Sequence, residues 1–200
     1  MGNTDIFEAM ASGYDTSERI EIAKITANAI REFIENGKDK SAIDFGCGTG
    51  LVGLNLLHEF RDLVFLDTSP KMLEQIKQKI ADANIRNADT VCFDFETGFR
   101  SDIHADYVFM VQVLLHIKDV ELVLSRLYEV LNPGGHLLIV DFDKNEKVTT
   151  DKVHNGFDQG NLAELMATIG FREITSKTIY NGSKLFMNQD ASLFIMDAKK

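Results

Sequence analysis

The chain has 200 residues and a formal net charge of −10, with 21 basic residues scattered among 31 acidic ones. Because nucleic-acid binding depends mainly on clustered Lys and Arg, this composition argues against a DNA or RNA substrate. No apolar stretch reaches the ~18 residues that cross a bilayer, and residues 1–10 lack the features of a secretory signal, so we expect a cytoplasmic protein with no membrane partner.

The first predicted element is an amphipathic helix from about Ser17 to Glu35, where apolar residues recur at three- and four-residue spacing before Gly37 ends the pattern. We expect residues 1–37 to form a helical cover. With 44% hydrophobic residues the chain can bury one sizeable core, so we expect a single domain over residues 1–200.

Short apolar runs then alternate with helical patterns. In chain order we predict a strand at 42–45, a helix at 51–60, a strand at 63–66, a helix at 69–81, strands at 90–93 and 107–111, a helix at 120–131 and a strand at 136–142. Strands rich in Val, Ile and Leu that alternate with helices indicate a doubly wound α/β fold, with a parallel sheet covered on both faces. Ligands of such sheets bind beyond the carboxyl ends of the strands.

The last third of the chain has a different pattern. A helix near Leu162–Ile169 precedes two runs typical of strands, at about 171–180 and 191–197, which we expect to form a hairpin joined by Asn-Gly-Ser and a polar stretch. Residues 143–160 are irregular, and we interpret them as a loop beside the site rather than as a domain boundary.

Three alternating glycines, Gly46, Gly48 and Gly50, follow the first predicted strand. Glycine lets a backbone approach a ligand closely, and the helix predicted to begin at Leu51 would direct its N-terminal amides to the same ligand. The pattern is Gly-x-Gly-x-Gly, whereas a dinucleotide fingerprint would place the third glycine at position 51. Because a turn between strand and helix also uses glycine for conformational reasons alone, the loop by itself is weak support for a nucleoside-bearing cofactor.

Acidic residues end the next two predicted strands. Asp67 lies 19 residues after Gly48 and can accept both ribose hydroxyls, a feature shared by adenine dinucleotide and adenosyl binders. Its alternative role, a helix cap, suits Ser69 better because Ser69 precedes a proline. Asp94 can accept from an adenine amino group and Phe95 can offer a ring beside the base, although an Asp-Phe pair after a strand is ordinarily only a turn.

Four ordered blocks resemble the class I S-adenosylmethionine-dependent methyltransferases of the small-molecule type. The blocks are Ala-Ile-Asp-Phe-Gly-Cys-Gly-Thr-Gly at 42–50, Leu-Asp-Thr-Ser-Pro-Lys-Met-Leu at 66–73, Cys-Phe-Asp-Phe at 92–95 and Leu-Asn-Pro-Gly-Gly-His-Leu-Leu-Ile at 131–139. The resemblance extends from about Asp5 to the C-terminus. It implies a Rossmann-like, seven-stranded, mostly parallel sheet with an antiparallel last strand, and S-adenosyl-L-methionine as cofactor.

The resemblance also implies roles for individual residues. Asp44 and the loop from Gly46 to Gly50 would hold the methionine part of the cofactor, Asp67 the ribose, and Asp94 with Phe95 the adenine. Tyr14 matches an aromatic residue that folds over the cofactor in many small-molecule methyltransferases, with Gly13 as a hinge; the alternative is an exposed Tyr that packs against the first helix. The remaining cofactor-binding residues that it implies are Cys47, Thr68, Met72, Val111 and Gln112.

Methyl transfer from a sulfonium is an in-line displacement with a neutral leaving group, so alignment dominates and a base is needed only when the acceptor must lose a proton. His116, after the fourth strand, is the candidate catalytic base; the alternative is that it only caps or packs over the cofactor. His154, and Asp141 or Asp143 after the fifth strand, lie where an acceptor is expected, but each suits a loop or capping role better.

Departures from related patterns favour a small-molecule acceptor. Val111 to Leu114 do not form the Asn/Asp-Pro-Pro-aromatic signature of enzymes that methylate exocyclic amines of bases or glutamine amides. Neither Cys47 nor Cys92 follows a proline as a cytosine C5 nucleophile would. No carboxylate cluster predicts a metal site. We expect the acceptor between the N-terminal cover and residues 143–160. An NAD-dependent oxidoreductase and a non-catalytic cofactor-binding subunit that needs a partner remain as alternatives.

Overall fold

The computed structural model describes residue 8 and residues 10–200. We number the α-helices α1 Ser17–Arg31, α2 Leu51–Leu56, α3 Pro70–Asp82, α4 Val120–Val130 and α5 Gln159–Ile169. The strands are β1 Ser41–Phe45, β2 Asp62–Asp67, β3 Ala88–Cys92, β4 Ala105–Val111, β5 Leu131–Phe142, β6 Arg172–Phe186 and β7 Gln189–Lys199. Short 3₁₀ turns lie at Ala11–Gly13, Gly37–Asp39, Leu57–Glu59 and Leu114–His116.

The strands follow the order β3-β2-β1-β4-β5-β7-β6 in a seven-stranded sheet. β7 is antiparallel to both β5 and β6. The predicted doubly wound sheet with an antiparallel last strand is therefore confirmed. The chain divides into two compact units, Met1–Asp94 and Phe95–Lys200. The single domain over residues 1–200, with residues 1–37 as its cover, stays a prediction, and residues 1–7 and 9 of that cover lie outside the described part.

In the first unit, β2 pairs in parallel with β1 and with β3, so the carboxyl ends of these strands meet at one edge. Helix α3 begins as its sequence predicts, because the Ser69 hydroxyl accepts from the Met72 amide at 3.3 Å and Pro70 occupies the first turn. Met72, Leu73 and Ile76 are buried on its inner face. Ser69, rather than Asp67, is thus the cap of α3.

Two helices of the first unit are shorter than predicted. Helix α1 ends at Arg31, because a tight turn follows and Asn36 adopts a left-handed conformation with φ 50°. Helix α2 ends at Leu56, where a 3₁₀ turn takes over before the chain becomes extended at Phe60. The spacing of apolar residues does not reveal where these two helices end, since the turns that follow them also carry apolar side chains that pack inward.

In the second unit, β4 pairs in parallel with β5, and the long strands β6 and β7 form the predicted hairpin. The predicted joint, Asn-Gly-Ser followed by a polar stretch, is too long, because residues 181–183 lie inside β6 and only the polar stretch contains the turn. Met187 and Asn188, with φ of 48° and 61°, make the turn between the paired Phe186 and Gln189. Two central residues with positive φ match the twist of a tight hairpin, which explains why this turn closes it.

Among the described residues, no helix combines the length and the apolar character that a membrane span requires.

Candidate functional site

Strand β1 runs directly into the loop formed by residues 46–50, which we call the glycine loop. Its three glycines have positive φ values of 68°, 54° and 79°, a conformation that other residues adopt only with strain. The amides of Gly46 and Cys47 donate to the carbonyl of Leu66 at 2.7 and 3.1 Å. The glycine loop is therefore fastened to the carboxyl end of β2.

Asp44 lies in β1, two residues before this loop, and is 2% exposed. Its Oδ2 accepts from the amide of Gly53 at 3.0 Å, and burial raises the pKa of this carboxyl to about 8. A methyl group added at Gly53 would lie 2.5 Å from Asp44 Oδ2 and 2.5 Å from the Phe65 ring. Gly53 was missed by sequence reasoning. The available signal was a glycine inside a helical pattern, which is unfavourable relative to alanine unless packing requires it.

Asp67 ends β2 and contacts the glycine loop. Its Oδ2 accepts from the amide of Gly48 and its Oδ1 from the amide of Ser69, both at 2.8 Å. Burial raises the pKa of this carboxyl, and the amide hydrogen bonds act in the opposite direction. Because a carboxylate has about four acceptor positions, Asp67 retains capacity for further donors. The sequence did not predict that the Asp67 carboxylate also binds the main chain of the glycine loop.

Tyr14 lies beside the glycine loop. A methyl group added at Gly48 would be 3.7 Å from Cε1 of the Tyr14 ring. The guanidinium of Arg19 stands 4.1 Å from the ring centroid, and its Nη1 donates to the Tyr14 carbonyl at 3.0 Å. Burial raises the pKa of the Tyr14 hydroxyl. The ring is half-buried rather than exposed, beside the loop and under Arg19 of α1, and its contact with a cofactor stays a prediction.

The other candidates of the first unit surround this group. Cys47 is buried, and burial raises the pKa of its thiol, so it stays a neutral thiol rather than a nucleophile. Thr68 is exposed and Met72 is buried. Asp94 is half-buried shortly after Phe93, whose amide donates to the Asp67 carbonyl at 3.1 Å. The predicted ribose and adenine acceptors thus lie on neighbouring strand ends.

Phe95 begins the second unit and is only 2% exposed, so its ring has little free face for a base as the chain stands. Its carbonyl accepts from Arg126 of α4. The next residue, Glu96, accepts from the amides of Lys118 and Asp119 at 3.0 and 3.4 Å. The segment is thereby attached to the start of α4, and the predicted contact of Phe95 with adenine stays a prediction.

The end of β4 carries the remaining candidates. Val111 and Gln112 are half-buried, and Gln112 has a positive φ of 54° while its amide donates to the Val140 carbonyl at 2.7 Å. Such strained non-glycine residues cluster at functional sites. His116 ends the following 3₁₀ turn, and burial lowers the pKa of its imidazole. At neutral pH the ring is therefore mainly uncharged and able to accept a proton.

Two of the residues that were expected near the methyl acceptor instead hold the turn that carries His116. Asp141 is fully buried and accepts from the amides of Leu115 and Phe142 at 3.1 and 2.8 Å; burial raises its pKa to about 7. His154 donates its amide to the Leu115 carbonyl and its Nε2 to the Ile117 carbonyl, both at 2.8 Å. Asp143 accepts from Gln159 at 2.6 Å. These contacts agree with the loop and capping roles that the sequence favoured.

Within residues 8 and 10–200, no cluster of three or more His, Cys, Asp or Glu has the arrangement of a metal site.

Comparison with known proteins gives consistent results. A family model described as a methyltransferase domain matches residues 43–137. An uncharacterised methyltransferase of Schizosaccharomyces pombe is 23% identical over 197 residues, with 78% of this chain and 67% of that protein covered. Phosphoethanolamine N-methyltransferase 2 of Caenorhabditis elegans is 29% identical over 146 residues, with 70% of this chain but only 30% of that protein covered.

The fold has solved counterparts. An S-adenosylmethionine-dependent methyltransferase from Aquifex aeolicus superposes with a TM-score of 0.75 at 16% identity, covering 96% of this chain and 97% of that one. The region matched by the family model contains the glycine loop, Asp67 and the start of β5. The matched model, the relatives and the solved structure are all those of methyltransferases, and the chain is similar to the class I S-adenosylmethionine-dependent methyltransferases.

Proposed function

We propose that the protein binds S-adenosyl-L-methionine and transfers its methyl group to a small-molecule acceptor by in-line displacement. The observation that carries the proposal is the pairing of the glycine loop with Asp67, whose Oδ2 accepts from Gly48 at 2.8 Å. At the glycines of the loop the main chain is bare, and beside it the Asp67 carboxylate can still accept further hydrogen bonds. An adenosyl ligand can use both features, the bare main chain for close approach and the carboxylate for its ribose hydroxyls.

The pairing of the glycine loop with Asp67 supports a set of proposed cofactor contacts. Asp67 accepts from the ribose hydroxyls, Asp94 from the adenine amino group, and Asp44 with the glycine loop holds the methionine part. Tyr14 covers the methionine part from the side of α1. Residues Cys47, Thr68, Met72, Phe95, Val111 and Gln112 complete the proposed set.

The bound cofactor supplies an electrophilic methyl group, and the protein mainly aligns it with the acceptor. Alignment of this kind contributes up to about 7 to 11 kcal/mol in favourable intramolecular models. When the acceptor carries a proton, His116 accepts it, because burial keeps the imidazole uncharged at neutral pH. Asp141 and His154 position the turn that bears this ring.

The negative net charge of the chain favours a small-molecule methyl acceptor over a nucleic acid. The net charge of −10 disfavours nucleic acid, and the relative named for phosphoethanolamine acts on a small molecule by its name. We propose that the protein works in the cytoplasm, without a membrane partner, as a single methyltransferase domain with residues 1–37 as cover.

Titration calorimetry tests cofactor binding. We expect heat on adding S-adenosylmethionine or S-adenosylhomocysteine to folded protein, and none on adding NAD, because the third glycine stands at Gly50 rather than at position 51. Heat with NAD alone would identify an oxidoreductase, and no heat with any of them would overturn the proposal. Transfer of labelled methyl into fractionated cell extract then tests catalysis; binding without transfer until another protein is added would indicate a non-catalytic subunit.

Replacement of His116 by alanine should lower kcat by about 10²- to 10⁴-fold when the acceptor must lose a proton, with cofactor affinity unchanged. In the parent protein kcat should fall as the pH drops below the lowered pKa of His116, since the ring is then charged. His104→Ala, at an exposed histidine of the same unit, is the control and should behave as the parent. Undiminished turnover in His116→Ala would leave this residue with only a packing role.

A further inference from the structure

Three side chains from separate segments of the first unit meet beside the glycine loop. The Thr49 hydroxyl donates to Oδ1 of Asp15, and the Lys79 ammonium lies 2.8 Å from Oδ2 of the same carboxylate. Lys79 also donates to the Thr49 carbonyl at 2.7 Å. We call Asp15, Thr49 and Lys79 the latch, because they join the N-terminal segment, the glycine loop and helix α3 in a closed triangle.

The latch is adjacent to the ring that lies beside the loop. Asp15 directly follows Tyr14, whose Cε1 would be 3.7 Å from a methyl group at Gly48. Arg19, which follows Asp15 on α1, donates to the Tyr14 carbonyl at 3.0 Å, and its guanidinium stands over the Tyr14 ring. The main chain at Tyr14 is thus held by two residues that follow it, Asp15 and Arg19, and opening of the latch would free this segment to move away from Gly48.

We propose that Asp15 is a positioning residue that, through Thr49 and Lys79, holds Tyr14 over the methionine part of the cofactor and sets how fast the cofactor and its demethylated product leave. This inference rests on the proposed function, because it needs the glycine loop to be the cofactor site. Asp15 itself does not touch the reacting atoms. Its effect belongs to ligand exchange rather than to the transfer step.

The ion pair of the latch is sensitive to salt. The side chains of Lys79 and Asp15 are 31% and 33% exposed, so mobile ions screen them in part. Release of the product should therefore accelerate as ionic strength rises. If Asp15 had only a general structural role, removing the Asp15–Lys79 pair would not change how the release rate depends on salt.

Stopped-flow measurement of S-adenosylhomocysteine release is the main test. Asp15→Asn and Lys79→Gln should each raise the release rate about five- to tenfold and abolish its salt dependence, while the association rate changes less. The double variant should release no faster than the single ones, since both remove the same interaction. Thr49→Val, which removes only the hydroxyl donor, should give a smaller increase. Glu21→Gln, the same loss of charge at an exposed site on α1, is the matched control.

Hydrogen exchange in the protein alone separates this inference from the proposed function. The amides of residues 14–16 should exchange faster in Asp15→Asn and Lys79→Gln than in the parent and in Glu21→Gln. Unchanged exchange together with unchanged release rates would overturn the latch. Absence of any binding of S-adenosylhomocysteine would overturn the proposed function, and exchange at residues 14–16 would still decide whether the latch holds the segment.

Discussion

Replacement of Gly53 by alanine is expected to lower the free energy of unfolding by about 3 kcal/mol. The added methyl group would lie 2.5 Å from both Asp44 Oδ2 and the Phe65 ring, where neither neighbour is free to move. Phe65 is fully buried in β2, and Asp44 is held by the hydrogen bond from Gly53 itself. Displacement of the helix would remove this bond and leave a buried carboxyl without its donor, which adds to the steric cost.

Urea unfolding followed by circular dichroism measures this effect. Gly13→Ala is the matched control, because a methyl group there would meet nothing within 4 Å. The control should unfold at the parent midpoint, and Gly53→Ala at a clearly lower urea concentration with a similar slope. Equal midpoints for the two variants would mean that α2 shifts freely over β1 and that the packing argument is wrong.

Replacement of Asp67 by asparagine is expected to weaken binding of S-adenosylmethionine by about 100-fold or more, since hydrogen bonds to a charged acceptor contribute ~1.5 to 3 kcal/mol each. The carboxylate accepts from Gly48 and from Ser69 with different oxygens. An asparagine has only one side-chain oxygen, so in either orientation its NH₂ group would face one of these amides. The variant should therefore lose both the proposed ribose acceptor and the shape of the glycine loop.

Calorimetry with S-adenosylmethionine checks this loss, and Asp62→Asn is its control. Asp62 starts the same strand, is exposed and pairs only with Arg61, another exposed side chain, in the contacts of the described chain. The control should bind as the parent does. Parent-like affinity in Asp67→Asn, with the fold intact by circular dichroism, would remove Asp67 from cofactor recognition.

The sequence predicted those parts of the fold that depend on local patterns. The alternation of apolar strands and amphipathic helices indicated the α/β sheet, and the glycines at 46, 48 and 50 indicated the turn with positive φ that the structure contains. Asp67 and Asp94 were placed at neighbouring strand ends, because parallel strands bring their carboxyl ends to one edge. Ser69 was identified as the cap of α3 from its position before Pro70.

Features that depend on the path of the chain in space were not predictable. Lys79 meets Asp15 across 64 positions, and no periodicity connects an N-terminal acid with a lysine on a later helix. Asp141 supports the His116 turn by accepting from the amide of Leu115, which lies 26 positions earlier in the chain. The joint of the hairpin was predicted too long because Asn-Gly is a strong turn signal, whereas the observed turn uses only Met187 and Asn188 of the polar stretch after it.

The two hydrogen bonds that Asp67 makes to main-chain amides bear on how freely this protein could acquire a new ligand preference. A substitution that suits a different sugar would at the same time deprive Gly48 and Ser69 of their shared acceptor. A change in the proposed sugar contact would therefore also require compensating mutations that satisfy these two amides again.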